Sequence, residues 1–222
     1  MRYALHESDR PDGRLFEVEQ FSQRIVPLAA PRYEERADEV LYVLEGEGAV
    51  MLAGEPHRLS AGTSVFVARG QGWTATGDGR AVSVLVHDPV PSTRTHAVLD
   101  LTAAERGSAT AGREFVLGAA PAVGCESITQ FVGLVPPGRA PDHFHRYDEV
   151  IYVLEGTGVL YADGEEAALS AGSCVHLPAR LVHALANTGE SELRLLGVFR
   201  PAGSPAEAYY PDGTPAVVGA DG

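Results

Sequence analysis

In the stretch PDHFHRYDEV, residues 141–150, two histidines stand one residue apart, His143 and His145, and Glu149 follows after a short polar gap. Side chains of an extended strand alternate between faces, so the two imidazoles point to one side and Phe144 to the other. Arg146-Tyr147-Asp148 is polar enough for a tight turn, after which Glu149 starts a strand facing back toward the histidines. A fourth group comes later, in GSCVHLPARLVHALAN (172–187). There Gly172 and Pro178 punctuate a strand and a turn, and His183 opens the next strand. Imidazole and carboxylate are ligands for first-row metals. A lone His-x-His is more often a pair of surface histidines on an exposed strand face, and both readings stand at this point.

The elements that carry these residues occur twice. Shifted by 110 residues, Gln20-Phe21 falls on Gln130-Phe131, Pro27 on Pro137, Pro31 on Pro141 and Arg36 on Arg146. DEVLYVLEGEG (38–48) falls on DEVIYVLEGTG (148–158), and LSAG (59–62) on LSAG (169–172), with no gap from Gln20 to Trp73. The chain therefore holds two homologous units. VLYVLEG and VIYVLEG are rich in β-branched and aromatic residues and end at Gly, which reads as strand. SVFVA, SCVHLP, AVSVLVHD and ELRLLGVF read the same way. Short strands with recurring Gly and Pro turns predict an all-β sandwich or barrel in each unit. The Pro- and Thr-rich stretch HDPVPSTRTHAVLD marks a boundary near residue 92, giving units 1–92 and 93–222. DLTAAERG (100–107) predicts a short helical connector capped by Asp100 or Thr102. The Gly/Pro/Ala-rich tail 201–222 reads as loop with a disordered end, with Tyr209 and Tyr210 placed to dock on a barrel.

These residues resemble the cupin superfamily, and the doubling resembles a bicupin. The first cupin motif is matched by Gly138, His143, His145, Glu149 and Gly156, with a spacer after Gly138 one residue shorter than usual. The second is matched by Gly172, Pro178, His183 and Asn187, with Arg180 where the motif has Gly. The resemblance covers roughly 13–88 and 123–200. It implies two tandem β-barrels of the double-stranded β-helix (jelly-roll) type. It also implies that His143, His145, Glu149 and His183 bind one divalent metal. Three imidazoles and one carboxylate suit Mn, Fe, Co, Ni, Cu or Zn. The set has no thiolate, which argues against a structural zinc. Positions left open on a five- or six-coordinate ion permit substrate or dioxygen binding.

In the first unit the same positions hold Tyr33, Glu35, Glu39 and Trp73. Trp offers only an N–H donor and fills space. A filled scaffold without metal is expected there, and a metal-free pocket with Trp73 and Tyr33 stacking on an organic ligand is the alternative. Tyr147 is the candidate acid or hydrogen-bond donor at the mouth of the metal site. Arg139 and Arg180 are the candidates for binding a substrate carboxylate. Glu45 and Glu155 recur in both units and are assigned to the fold. His176 is expected at an interface, and His6, His57, His87 and His96 have no motif context.

The bulk numbers exclude several classes. Net charge is −13, with no lysine, so nucleic acid and anionic membranes are poor partners and a Schiff-base lysine is excluded. Cys125 and Cys174 form no CxxC pair. No apolar run is long enough to span a bilayer, and the first residues do not read as a secretory signal, so a cytoplasmic location is expected. The leading functional expectation is a metal-dependent oxygenase of the dioxygenase kind, acting on a small organic or aromatic molecule. A lyase, isomerase, decarboxylase or cyclase using the metal as a Lewis acid stands behind it, as does a non-catalytic binding protein. Two fused barrels already mimic a cupin dimer, and a further homodimer is compatible with the resemblance.

Overall fold

The structure is a computed structural model that describes residues 2–29 and 31–216. It is almost entirely β. The helical content among these residues is two single 3-10 turns, Glu7–Asp9 and Pro121–Val123. No helix is long and apolar enough to cross a membrane.

Each unit is a barrel whose strands alternate two buried faces. Along the repeated run, Leu41 and Val43 point into the first barrel, and their counterparts Ile151 and Val153 into the second. The residues between them, Val40 and Tyr42 in one copy and Val150 and Tyr152 in the other, form a third core where the barrels pack on each other. A strand buried on both faces needs a continuous apolar run rather than a strict alternation. That explains why VLYVL and VIYVL look alike. Full burial of Val40 and Val150 contributes about 1.5–3 kcal/mol each.

The hairpins are also repeated. Leu52 pairs with Glu55 and Ala162 with Glu165 across two-residue turns. In those turns Ala53-Gly54 and Asp163-Gly164 all have positive φ, the primed geometry that matches strand twist.

Edge strands are exchanged between the units. Strand His96–Asp100 runs antiparallel to Thr63–Val67 and completes the first barrel's sheet. Strand Ala4–His6 runs antiparallel to Ser173–Leu177 and completes the second. The division expected at 92/93 thus separates both strands from the sheets they finish. The helical connector expected over 100–107 is not formed. Asp100 ends a strand, and its carboxylate accepts from the Thr102 amide (2.9 Å) and hydroxyl (2.6 Å). This is an Asx turn, the competing use of an N-cap residue. Arg106–Ser108 then starts a hairpin with Glu114–Leu117. In the tail, Tyr209 pairs with Phe144. Residues 217–222, expected to be loop with a disordered end, lie outside the described residues.

Candidate metal centre

The His-Phe-His segment is stapled along its length. His143 exchanges backbone hydrogen bonds with His183 (2.9 and 2.8 Å), and Phe144 does so with Tyr209 (2.8 and 3.0 Å). The His145 carbonyl accepts from the Arg180 amide (2.7 Å). Arg180, standing where the motif has Gly, keeps a glycine-like φ of +66°. The turn shape survives at the expense of backbone strain.

This frame brings three imidazoles together. One ring nitrogen from each of His143, His145 and His183 lies within 4.8 Å of the others, the one such cluster among the described residues. Every Nδ1 is engaged by a backbone carbonyl: Pro141 for His143 (2.8 Å), Glu207 for His145 (2.8 Å) and Leu181 for His183 (2.9 Å). A carbonyl only accepts, so each Nδ1 carries the proton and each Nε2 keeps its lone pair for a metal. Burial, reinforced by the neighbouring histidines, holds His183 well below the usual imidazole range and pushes His145 down to about 3. Burial also lowers His143. The rings are therefore neutral imidazoles with a free Nε2 at neutral pH, the state a metal needs.

Glu149 lines the same chamber, fully buried, but its carboxylate stays outside the 4.8 Å group of ring nitrogens. It accepts no hydrogen bond from the described residues, and burial raises its pKa to about 8, opposed by Arg113. A buried carboxylate without donors is costly unless a cation compensates it. On the paired strand, Gly197 makes way for the Phe131 ring and for Glu149 Oε1; a Cβ there would collide with the ring and meet the carboxylate oxygen at 2.8 Å. The donor set therefore fits a divalent ion of the first transition row.

Tyr147 is buried between His145 and Phe199, stacked on both, with ring centroids 4.6 and 3.9 Å away. Burial, then the negative charges of Glu149 and Glu207, holds its phenol well above its ordinary pKa, so it serves as a neutral donor. Arg139 and Arg180 do not line the chamber. Arg139 is exposed, bound to Asp142 (2.6 Å) and lying over Tyr161. Arg180 is exposed on its left-handed turn. The guanidinium that does reach the chamber is that of Arg113, which sequence reasoning passed over. Its signal was the turn sequence ATAG before REF, obscured by the helix expected just upstream. The tail also contributes beyond the docking of Tyr209, since Pro205 and Ala208 line the mouth and Glu207 orients His145.

Apart from these groups, Thr110 and Glu114, the chamber is apolar, walled by Phe115, Phe131, Val135, Ile151, Leu160 and Leu195, with about 870 Å³ of empty space that includes open solvent at its mouth. The first barrel keeps about 290 Å³, with Trp73 buried against Leu41, Val43 and Val65. Its Glu39, at the position of Glu149, accepts from Arg32 (3.1 Å) and Ser83 (2.6 Å). An internal guanidinium stands there in the role a metal would have. His176 lies outside the second barrel, on Asp148 (2.7 Å) and near Phe16 of the first unit.

Residues 24–87 and 131–199, together more than half of the chain, match the cupin domain family. The chain belongs to the cupin family. This cupin is 33% identical over 81 residues to quercetin 2,3-dioxygenase of Bacillus subtilis, a match covering 32% of this chain and 24% of that protein. The chain spans less than two thirds of the length of the curated relatives it matches. Among solved structures it resembles a putative glyoxylate-induced protein of Pseudomonas aeruginosa, with TM-score 0.70 and 23% identity over 88% of this chain and 78% of that one. It also resembles a variant of Bacillus subtilis oxalate decarboxylase, with TM-score 0.67 and 13% identity over 90% and 73%. At these identities the structural likenesses show the fold alone.

Proposed function

We propose that this cupin is an enzyme holding one divalent metal on His143, His145 and His183, with Glu149 as the fourth ligand, and that it oxygenates a small organic substrate. The observation that carries the reading is the convergence of three lone-pair imidazole nitrogens on an apolar chamber. A bound ion would supply open coordination positions and Lewis acidity. The chain's own residues do the rest. The Pro141, Glu207 and Leu181 carbonyls fix the three rings. The apolar wall excludes water, and Tyr147 offers a protonated phenol to a substrate oxygen. Likeness to a quercetin dioxygenase supports oxygen chemistry. Likeness in fold to oxalate decarboxylase favours a second reading, a lyase or decarboxylase using the ion only as a Lewis acid. The acidic surface supports small-molecule partners over nucleic acid.

Elemental analysis of protein purified without chelators, followed by an oxygen-electrode screen of small phenols and keto acids, tests the reading. The expected result is one metal per chain and oxygen consumption that disappears in His145→Ala. Turnover surviving in His145→Ala sinks both enzymatic readings at this site. Zn or Mn with turnover but no oxygen uptake selects the second.

A further inference from the structure

One charged group in the chamber wall is not needed to hold the metal. Arg113 follows a tight turn in which Ala111 (φ +57°) and Gly112 (φ +66°) are left-handed and Ala109 N–H donates to the Arg113 carbonyl (2.8 Å). That turn points the side chain into the chamber, where it is the one arginine among the lining residues. Its Nη2 donates to the Leu185 carbonyl (3.1 Å), its single hydrogen bond among the described residues. A guanidinium has five N–H donors in a rigid fork, so most of its capacity is unspent. No carboxylate among the described residues forms an ion pair with it, and Glu149 acts on it only through space. The other acid in the lining, Glu114, is bound to Arg106 (2.8 Å).

Arg113 is also tied to the metal centre's own scaffold. Leu185 sits on strand His183–Asn187, two residues beyond the ligand His183 and on the same face. The fork is therefore held in register with the ring nitrogens. Once an ion takes the charge of Glu149, the chamber keeps a positive excess that no protein group matches. Charged groups in a low-dielectric cavity are retained where a counter-charge arrives. A carboxylate matches the fork bidentately, and the phenylalanine, valine and leucine walls leave space for an apolar body.

We propose that Arg113 anchors the carboxylate of the substrate, so that this chamber takes a small monocarboxylic acid with an apolar body. The fate of the bound acid rests on the metal-enzyme reading above; its capture does not.

The test is calorimetric binding of 3-phenylpropionate and of its primary amide to the full chain, as purified and after chelator treatment, with metal content measured in parallel. The acid is expected to bind at least about tenfold tighter than the amide. Arg113→Gln should erase that preference in both the chelated and the zinc-saturated chain, with folding checked by thermal unfolding. Because Arg113 opposes the raised pKa of Glu149, metal content is matched by saturation before the comparison. Arg113→Lys should keep part of it, and Arg180→Gln, outside the chamber, should keep all of it. Equal binding of acid and amide to the unaltered chain overturns the proposal. So does absence of acid binding, or an acid preference that persists in Arg113→Gln. Preference for oxalate over 3-phenylpropionate overturns the apolar-body assignment. A chain that takes up no metal when zinc is supplied yet still discriminates through Arg113 refutes the metal reading and supports the anchor; a loaded chain without discrimination does the reverse.

Discussion

Metal affinity should depend on pH through one carboxylate and not through the histidines. In the metal-free chain, burial raises Glu149 to about 8, while burial and the neighbouring histidines push His145 down to about 3 and depress His183, and burial depresses His143. A raised carboxylate holds its proton below its folded pKa, and an incoming cation must displace it. The depressed imidazoles have no proton to give up. The apparent affinity should therefore be level above about pH 8 and fall about tenfold per pH unit below it, roughly a hundredfold between about pH 9 and about pH 6. At about pH 7 binding should release about one proton. Calorimetric titration with zinc chloride in buffers of different ionisation heat reads both numbers. Glu149→Gln should bind more weakly at high pH, lose the slope and release no proton. A flat profile in the unaltered chain, or a slope that begins only near the ordinary imidazole value of about 6.5, would refute the assignment of Glu149. The same sign governs stability. Glu149 makes the metal-free fold less stable as pH rises from its unfolded value toward about 8, and the buried neutral histidines make it less stable as pH falls below about 6.5.

Other outcomes follow from the backbone. Arg180→Gly should raise stability by about 1 kcal/mol in urea unfolding, because it relieves a left-handed φ of +66° while the amide bond to His145 remains. Leu5→Pro should remove hydrogen-exchange protection from the His176 amide, which donates to the Tyr3 carbonyl (2.8 Å), while the amides of Ser173–Leu177 that face Asp148–Glu155 and those of Thr63–Val67 stay protected, since Leu5 pairs with Cys174 across the unit boundary. Truncation after Ser204 should weaken zinc binding by roughly tenfold to a hundredfold, because it removes the Glu207 carbonyl that orients His145. An unchanged dissociation constant would show that the tail only covers the site.

The barrels and the convergence of His143, His145 and His183 were legible because both obey local rules. A run buried on two faces must be apolar throughout, so its duplication announces two barrels. His143 and His145 share a face by strand parity. The exchange of Ala4–His6 and His96–Asp100 was hidden, because pairing across such sequence distances leaves no periodicity in either segment. Asp100 read as a helix cap because the same side chain caps a helix or closes an Asx turn, and only tertiary context decides. The Glu207 carbonyl was unreadable in principle, since every residue has one. Arg113 was missed because the helix expected just upstream obscured the turn that aims it inward, and residue type alone does not separate it from the solvated Arg139. Glu39 was recognised as a partner of Glu149, but the presence of Arg32 and Ser83 beside it required the structure.

The Arg32–Glu39–Ser83 cluster gives the two halves unequal dependence on the medium. The first barrel carries its counter-ion on its own chain, so a chelator cannot take it away. On the proposed reading the second barrel would draw its counter-ion from solution, yet one edge of its sheet is closed by a strand that precedes the first barrel in the chain. On that reading, metal starvation should leave the self-neutralised half folded, holding the strand edge on which the imidazole site depends.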